Sequence, residues 1–307
     1  DVFMRISLDL TDLVAKGKLT QAEADRLRAL AGEDAGALGV NILLGFGTVA
    51  VALAAGVLVP SVWTVLVIGG LLFALGVALR LAADTRWSLF AQICTTLGTL
   101  AVVSGVVTLS SGDVGIGLVT VILLAGAAVL AQSGLLAALA VLDLAAVLGA
   151  SSAYWHASYG ISIMQPTLAI GVLAVVALGL LALSLRFRTY ERIAIIGART
   201  ATIMINVAFL VGSLFGDKTP YFELSDTVFS VVWAALLIGV GLWGVRAGRR
   251  WVVNAAAVFG GIHFYTQWFE HLGASPVSVL VAGVLLIGFG FALRAFNQRG
   301  KPVPTSA

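Results

Sequence analysis

The residues best suited to chemistry lie inside a long apolar segment near the C-terminal end of the sequence. His263, Gln267 and Glu270 follow one another at intervals of four and three residues, so a helix places them on one face. A histidine exchanges protons near neutral pH, and a neighbouring glutamate could act as its proton or cation partner. The spacing indicates either a polar pathway through the protein or a packing histidine held by hydrogen bonds.

Two opposite charges lie within other apolar segments. Asp143 follows Gly134 by about 13 Å of helix, and Arg199 follows Arg192 by about 10 Å. An unpaired charge at the centre of a bilayer costs at least ~2.5–3.5 kcal/mol. The similar depth and opposite sign predict an Asp143–Arg199 ion pair, whose role is either structural or functional.

Polar side chains also recur along the segment that contains Arg199. Asn206 and Ser213 follow it at intervals of seven residues, with Thr202 beside them, so all four share one helical stripe. Strongly polar residues fall mainly in the odd-numbered apolar segments, which we expect to line the interior while the even-numbered ones face lipid. Alternatively, these side chains only join helices to one another. The predicted pathway comprises Asn41, Gln92, Thr96, Thr202, Asn206, Asn254, His263, Gln267 and Glu270.

The composition is that of a polytopic membrane protein. Of the 307 residues, 60% are hydrophobic and only 11% are charged, whereas soluble domains carry about a quarter charged residues. We therefore predict an all-α transmembrane bundle, with a count of eight or nine spans as the alternative to ten. The ten predicted spans are 38–59, 61–80, 88–110, 114–131, 134–155, 167–185, 193–215, 227–245, 251–271 and 276–296.

The basic residues predict the orientation of the bundle. If both termini lie on one side, all 18 Lys and Arg residues except Arg199 and Lys218 fall on that side. The positive-inside rule makes it cytoplasmic, and we predict the bacterial inner membrane as the location. Because these residues cluster between spans, they do not indicate a nucleic-acid surface. The acidic residues of the outer loops are expected to be solvated charges, or alternatively to attract cations: Asp113, Asp217, Glu223, Asp226 and Glu270.

The N-terminal residues form a separate element in this interpretation. An apolar stripe ends at Gly17, and Thr20 with Glu23 matches the capping box that begins a helix. Residues 7–32 are therefore predicted to form a cytosolic helical hairpin that caps the bundle, binds a cytosolic partner or pairs with another copy. The predicted domains are residues 1–35, the membrane bundle at 36–297 and a tail at 298–307.

Known intramembrane chemistries find little support in the sequence. There is no His-Glu-x-x-His motif, and Asp143 is the only deep carboxylate, where an aspartic protease needs two. Cys94 is the sole cysteine, so no disulfide forms within the chain. His156, His263, Glu270 and His271 could form an outer metal site, but their spacing is not diagnostic. No cofactor, metal or catalytic residue is predicted.

Both ends of the sequence resemble a bacterial membrane-protein family of unknown function, numbered 2157. The resemblance lies in Leu10 to Ala24 and, near the other end, in Arg250 to Asn254, Phe264 to Phe269 and Ser275 to Arg294. It implies a short cytosolic helical hairpin followed by many spans. The family implies no activity and no catalytic residues.

These observations favour a transporter or an ion or proton pathway, whose partners are the lipid bilayer and a small molecule or ion. The alternative is a non-transporting scaffold or sensor that recruits a partner through residues 7–32. An intramembrane enzyme is the third candidate.

Overall fold

The computed structural model of the protein describes residues 13–14, 17–82, 85–109, 113–155, 158–218, 223–273 and 275–298. This part of the chain is nearly all helical and contains two short β-hairpins, β1–β2 (Ala150–Trp155 and Ser158–Ile163) and β3–β4 (Asp217–Lys218 and Glu223–Leu224). Its long helices are α1 (Gln21–Leu58), α2 (Val62–Leu81), α3 (Ser88–Leu109), α4 (Val114–Ala131), α5 (Gly134–Val147), α6 (Pro166–Arg186), α7 (Glu191–Phe215), α8 (Asp226–Arg246), α9 (Arg250–Leu272) and α10 (Pro276–Gln298).

Most of the predicted spans coincide with these helices. α2 to α4 and α6 to α10 begin and end within about two residues of the predicted bounds. Among the described helices, seven are long and apolar enough to cross a membrane, which is the architecture of an integral membrane protein. The seven are α1 from Gly39 onwards, α2, α3, α4, α6, α7 and α8.

The fifth predicted span is wrong in its second half. α5 ends at Val147, and Gly149 adopts a positive φ of 91°, a conformation that other residues rarely tolerate. The chain then forms the antiparallel β1–β2 hairpin, in which Ser151 pairs with Ser162 and their hydroxyl oxygens lie 2.8 Å apart. The two strands contain three aromatic residues and a β-branched pair, Ile161 and Ile163, which favour strands, but hydropathy alone does not separate such a segment from a helix.

The N-terminal caps are confirmed. The amides of Gly17 and Lys18 donate to the carbonyls of Val14 and Leu13, and Gly17 has a φ of 66°, which is the glycine-terminated end expected of a helix. The Glu23 amide donates to the Thr20 hydroxyl, and the Thr20 amide donates to the Glu23 carboxylate at 2.9 Å. Residues 7–12 and 15–16 of the predicted hairpin, and residues 299–307 of the predicted tail, lie outside the described residues.

The second helix of the predicted hairpin and the first predicted span are one element. α1 contains 38 residues and passes through the boundary predicted between residues 35 and 36 without interruption. The glycines at 32, 36 and 39 weaken a helix by only about 1 kcal/mol each, and no proline separates the two halves. The predicted domain boundary between residues 35 and 36 therefore falls inside a continuous helix.

The capping box predicts a pH dependence at the start of α1. The Thr20 amide and hydroxyl donate to the Glu23 carboxylate and hold its pKa below the usual value. Because the folded-state pKa is lowered, this contribution to stability is complete above the unfolded-state pKa and is lost as the pH falls through the folded-state pKa. Amide hydrogen exchange at residues 20–24, corrected for its intrinsic rate, should show protection decreasing in acid. Glu23→Gln should flatten this profile, and an unchanged profile in that variant would contradict the assignment.

The chain divides into two compact units, residues 1–140 and 141–307. In the first, α2 and α3 approach so closely that glycines are required. A Cβ atom at Gly69 would lie 2.9 Å from the Val102 amide nitrogen, and one at Gly98 would lie 2.6 Å from the Gly69 carbonyl oxygen. Cys94 is fully buried in this unit. Such glycine contacts let helix backbones pack directly on one another, as is common between membrane helices.

In the second unit, α7 packs against α6 and α8. Leu173 on α6 and Ala201 on α7 belong to one buried cluster, and Phe209, Phe229 and Trp233 form another between α7 and α8. α7 carries the largest set of buried residues of the helices in this unit, so it is the central element of the unit's core.

Large apolar side chains cover the outside of the helices in both units. On α1, Val57 and Leu58 are 80% and 81% exposed, and on α6 Val175 is 71% exposed. Soluble monomers rarely expose continuous apolar surfaces of this extent. These side chains are positioned to contact lipid.

Candidate functional site

Trp233 is a buried residue of α8 that contacts polar side chains on two neighbouring helices. Its side chain is 1% exposed, and its indole Nε1–H donates to the Asn206 Oδ1 atom at 2.9 Å. The Asn206 Nδ2 amide in turn donates to the Thr202 carbonyl at 2.8 Å. Buried indole N–H groups usually find such an acceptor, and this one joins α8 to the polar stripe of α7.

Aromatic contacts hold the indole of Trp233 in place. The Phe209 ring is parallel to it with 6.3 Å between ring centroids, and the His263 imidazole meets it edge-on at 4.8 Å. The two partners come from α7 and α9, so three helices converge at Trp233. We call Asn206, Trp233, His263 and Gln267 the Trp233 cluster.

Two polar atoms of the Trp233 cluster have no hydrogen-bond partner among the described residues. They are Nδ1 of His263 and Nε2 of Gln267, which lie one helical turn apart on α9 and are both buried. Leaving such a group unsatisfied costs about 1–3 kcal/mol. Buried polar groups are nearly always hydrogen-bonded, to protein or to water. Two neighbouring buried atoms without a partner therefore indicate a place where a polar ligand can bind.

The third residue of the predicted α9 face lies apart from these two. Glu270 is exposed at the end of α9, whereas His263 and Gln267 are partly buried. His271 is also exposed, and its Nδ1 atom lies 3.0 Å from the Gln267 carbonyl oxygen. The structure therefore divides the predicted face into a buried pair and a surface carboxylate.

Several hydroxyl groups on the odd-numbered predicted spans bond to their own helices. Thr202 donates to the Ala198 carbonyl at 2.8 Å, and Ser213 donates to Leu210 at 2.9 Å. Thr95 and Thr99 on α3 do the same one turn back. Such bonds satisfy the hydroxyl without any other helix or solute. Gln92 is exposed, and Thr96 and Asn254 are partly buried.

Asn41 joins two helices of the first unit. Its Nδ2 amide donates to the Arg86 carbonyl at 2.7 Å, and its Oδ1 atom accepts from the Phe90 amide at 3.0 Å. Phe90 lies in the first turn of α3, where backbone amides have no partner within the helix. Asn41 is 3% exposed, and these two bonds cap α3 from α1.

The predicted ion pair stays a prediction. The Arg199 side chain is exposed, and its guanidinium carbon lies 5.2 Å from the centroid of the Trp251 ring. That distance is within the range of a cation–π contact. Asp143 is partly buried on α5.

The expectation that the outer acidic residues are solvated is wrong for Asp217. It is 2% exposed, and its Oδ2 atom accepts from the Thr167 amide at 2.9 Å. Thr167 follows Pro166 in the first turn of α6, where a carboxylate is stabilised by free amides and by the helix dipole. The other carboxylate oxygen and the Thr167 hydroxyl have no partner in the described part of the chain. Asp113, Glu223 and Asp226 are exposed, as expected.

The predicted division between odd and even helices holds only in part. Trp233 on α8, Thr120 on α4 and Ser184 on α6 are polar or partly polar residues that are buried. Trp233 was not identified from the sequence because tryptophan counts as apolar. The available signal was its position in the helix. Tryptophans at the membrane interface usually lie near the ends of a span, whereas Trp233 is the eighth residue of α8 and lies away from both ends.

Metal ligands do not gather in the described residues. No group of three His, Cys, Asp or Glu side chains in this part of the chain is arranged to hold a metal ion. His156, one of the four residues considered for an outer metal site, lies outside it.

No protein-family model, curated protein or solved structure matches the chain.

Proposed function

We propose that the protein is a ten-span component of the bacterial inner membrane with both termini in the cytoplasm. The confinement of basic residues to alternate connections supports this orientation. α5, about 21 Å long, is too short to cross a hydrocarbon core of about 30 Å. In this topology, β1 carries the chain over the remaining distance. The resemblance to the family numbered 2157 is compatible with this arrangement.

We further propose that it is a transporter or an ion or proton pathway, with the Trp233 cluster as the polar point of passage. The observation that carries this proposal is the pair of unsatisfied atoms, His263 Nδ1 and Gln267 Nε2. An imidazole can bind a proton, and an imidazole and a primary amide together can hydrogen-bond to a water molecule or a small polar solute. Placing them among apolar helices is costly, and such groups in membrane proteins usually mark a functional path.

Proton flux is the first measurement to make, because His263 is the only member of the Trp233 cluster whose side chain can take up and release a proton. Purified protein in proteoliposomes with an interior pH dye should acidify or alkalinise the lumen when a potassium diffusion potential is applied. His263→Gln should reduce that flux at least about tenfold, because an amide exchanges protons poorly. His271→Gln is the matched control on the exposed end of α9 and should retain wild-type flux.

Either of two outcomes would count against the proton pathway. Flux no greater than in empty liposomes would exclude it, and the same assay with small polar solutes would then test transport in general. Equal loss of flux in both histidine variants would show that the effect is not specific to the Trp233 cluster.

The second candidate is a sensor, and the continuity of α1 favours it. α1 is one 38-residue helix, about 57 Å long, that begins at the N-terminal capping box and includes most of the first predicted span. A helix of this length can transmit a movement from a cytosolic partner into the bundle. Because this candidate is a non-transporting scaffold or sensor, the full chain should give no flux above that of empty liposomes, and deleting residues 7–19 should abolish co-purification of such a partner.

A further inference from the structure

An apolar groove lies between α8, α9 and α10 in the second unit. Its volume is about 670 Å³, and its walls are apolar along their whole length. Gly241, Gly260 and Gly261 contribute to its depth because they present no side chain. The residues that define its extent are Leu237, Val245, Val253, Phe264, Leu285 and Phe289.

One end of the groove is positively charged. Arg246 is the last residue of α8 and follows the groove residue Leu242 by four positions, whereas Arg249 directly precedes the first residue of α9, four positions before the groove residue Val253. Both arginine side chains are exposed. The connection between α8 and α9 reads Arg-Ala-Gly-Arg-Arg and contains no acidic residue. The groove thus begins at a cationic loop and continues into apolar helix surface.

The length of the groove matches one leaflet of a bilayer. Val253 and Phe264 mark its two ends on α9, and their separation corresponds to about 16 Å of helix. Half of a hydrocarbon core measures about 15 Å. An acyl chain that starts at the headgroup level therefore reaches the bilayer midplane near Phe264.

We propose that this groove is a specific site for an anionic phospholipid of the surrounding bilayer. The acyl chain occupies the groove, and Arg246 and Arg249 bind the phosphate of the headgroup. Basic pockets beside membrane helices bind anionic headgroups in this manner. An apolar helix from a second copy would fill the groove but would not use the two exposed cations, which favours the lipid as occupant.

Native mass spectrometry of the full chain in detergent micelles tests the proposal, with phosphatidylglycerol and phosphatidylcholine of identical acyl chains as probes. One phosphatidylglycerol should bind more tightly than phosphatidylcholine. Each arginine contributes roughly a fivefold factor in affinity for an anionic lipid. The double variant Arg246→Gln/Arg249→Gln should therefore bind phosphatidylglycerol roughly thirtyfold more weakly. Arg186→Gln/Arg188→Gln, a pair of exposed arginines at another connection, should bind it like wild type.

A second pair of variants tests the groove independently of charge. A Cβ atom at Gly260 or at Gly239 meets no atom within 4 Å, but only Gly260 lines the groove. Gly260→Phe should weaken binding of both lipids, whereas Gly239→Phe should not. Equal affinity for the two lipids, or equal loss in both arginine pairs, would overturn the proposal. So would a Gly260→Phe variant that binds lipid normally but no longer forms a dimer present in wild type, because the occupant would then be a second copy.

Discussion

Replacing Trp233 with alanine should lower the free energy of unfolding by about 3 kcal/mol or more. The indole is 1% exposed and contacts Phe209 and His263, so its removal leaves a cavity that surrounding helices cannot easily fill. The Asn206 Oδ1 atom would also lose its donor. Reversible unfolding in mixed detergent micelles, followed by circular dichroism, measures the change.

Two further variants separate the contributions of packing and hydrogen bonding. Trp233→Phe keeps most of the aromatic volume and removes only the N–H group, so a loss of about 1 kcal/mol is expected, in line with hydrogen bonds between membrane helices. Trp243→Ala is the control, because Trp243 lies on the same helix and is 54% exposed. If Trp243→Ala is as destabilising as Trp233→Ala, the Trp233 cluster is not the core of this unit.

Replacing Gly98 with alanine should destabilise the first unit by about 2–3 kcal/mol. The added Cβ atom would collide with the backbone of Phe73 and with the Gly69 carbonyl oxygen, and backbone atoms cannot rotate away as a flexible side chain can. α2 and α3 would have to separate along their whole contact. The same unfolding measurement should detect this as a lower midpoint, with partial loss of helix if the two helices separate.

Gly70→Ala is the matched control for this prediction. Gly70 neighbours Gly69 on α2, but a Cβ atom there meets nothing within 4 Å. Alanine is also the better helix former by up to about 1 kcal/mol, so this variant should be neutral or slightly stabilising. Equal destabilisation by Gly98→Ala and Gly70→Ala would show that the close contact of α2 with α3 does not determine stability.

Hydropathy predicted the helices well because lipid imposes a length and an apolar composition on each of them. α4 coincides with its predicted span, 114–131, although the polar break before it is short. The prediction failed at residues 150–155, where the same apolar content forms a strand after Gly149. In α1, the domain boundary predicted between residues 35 and 36 falls inside one continuous helix. Both cases concern backbone conformation, which composition constrains only weakly.

The site was predicted less well, because a polar residue type does not reveal its partner. The helical repeat places His263 and Gln267 on one face of α9, but it does not show that Glu270 is exposed while these two are partly buried. Asn41 was predicted to line a pathway. Its amide group caps α3 from another helix, and no sequence pattern shows a contact between residues 41 and 90. Asp217 was expected to be solvated and is buried, because its partner Thr167 lies fifty residues away. Long-range partners of this kind depend on tertiary structure.

The burial of Cys94 has a practical consequence. As the sole cysteine of the sequence, and with no exposed surface, its thiol should stay unreactive toward maleimides while the protein is folded. The natural sequence can then serve directly as the background for single-cysteine reporters, with no prior substitution at position 94. A reporter placed in each connection in turn, and labelled from one side of intact cells, would map the sidedness of the whole chain.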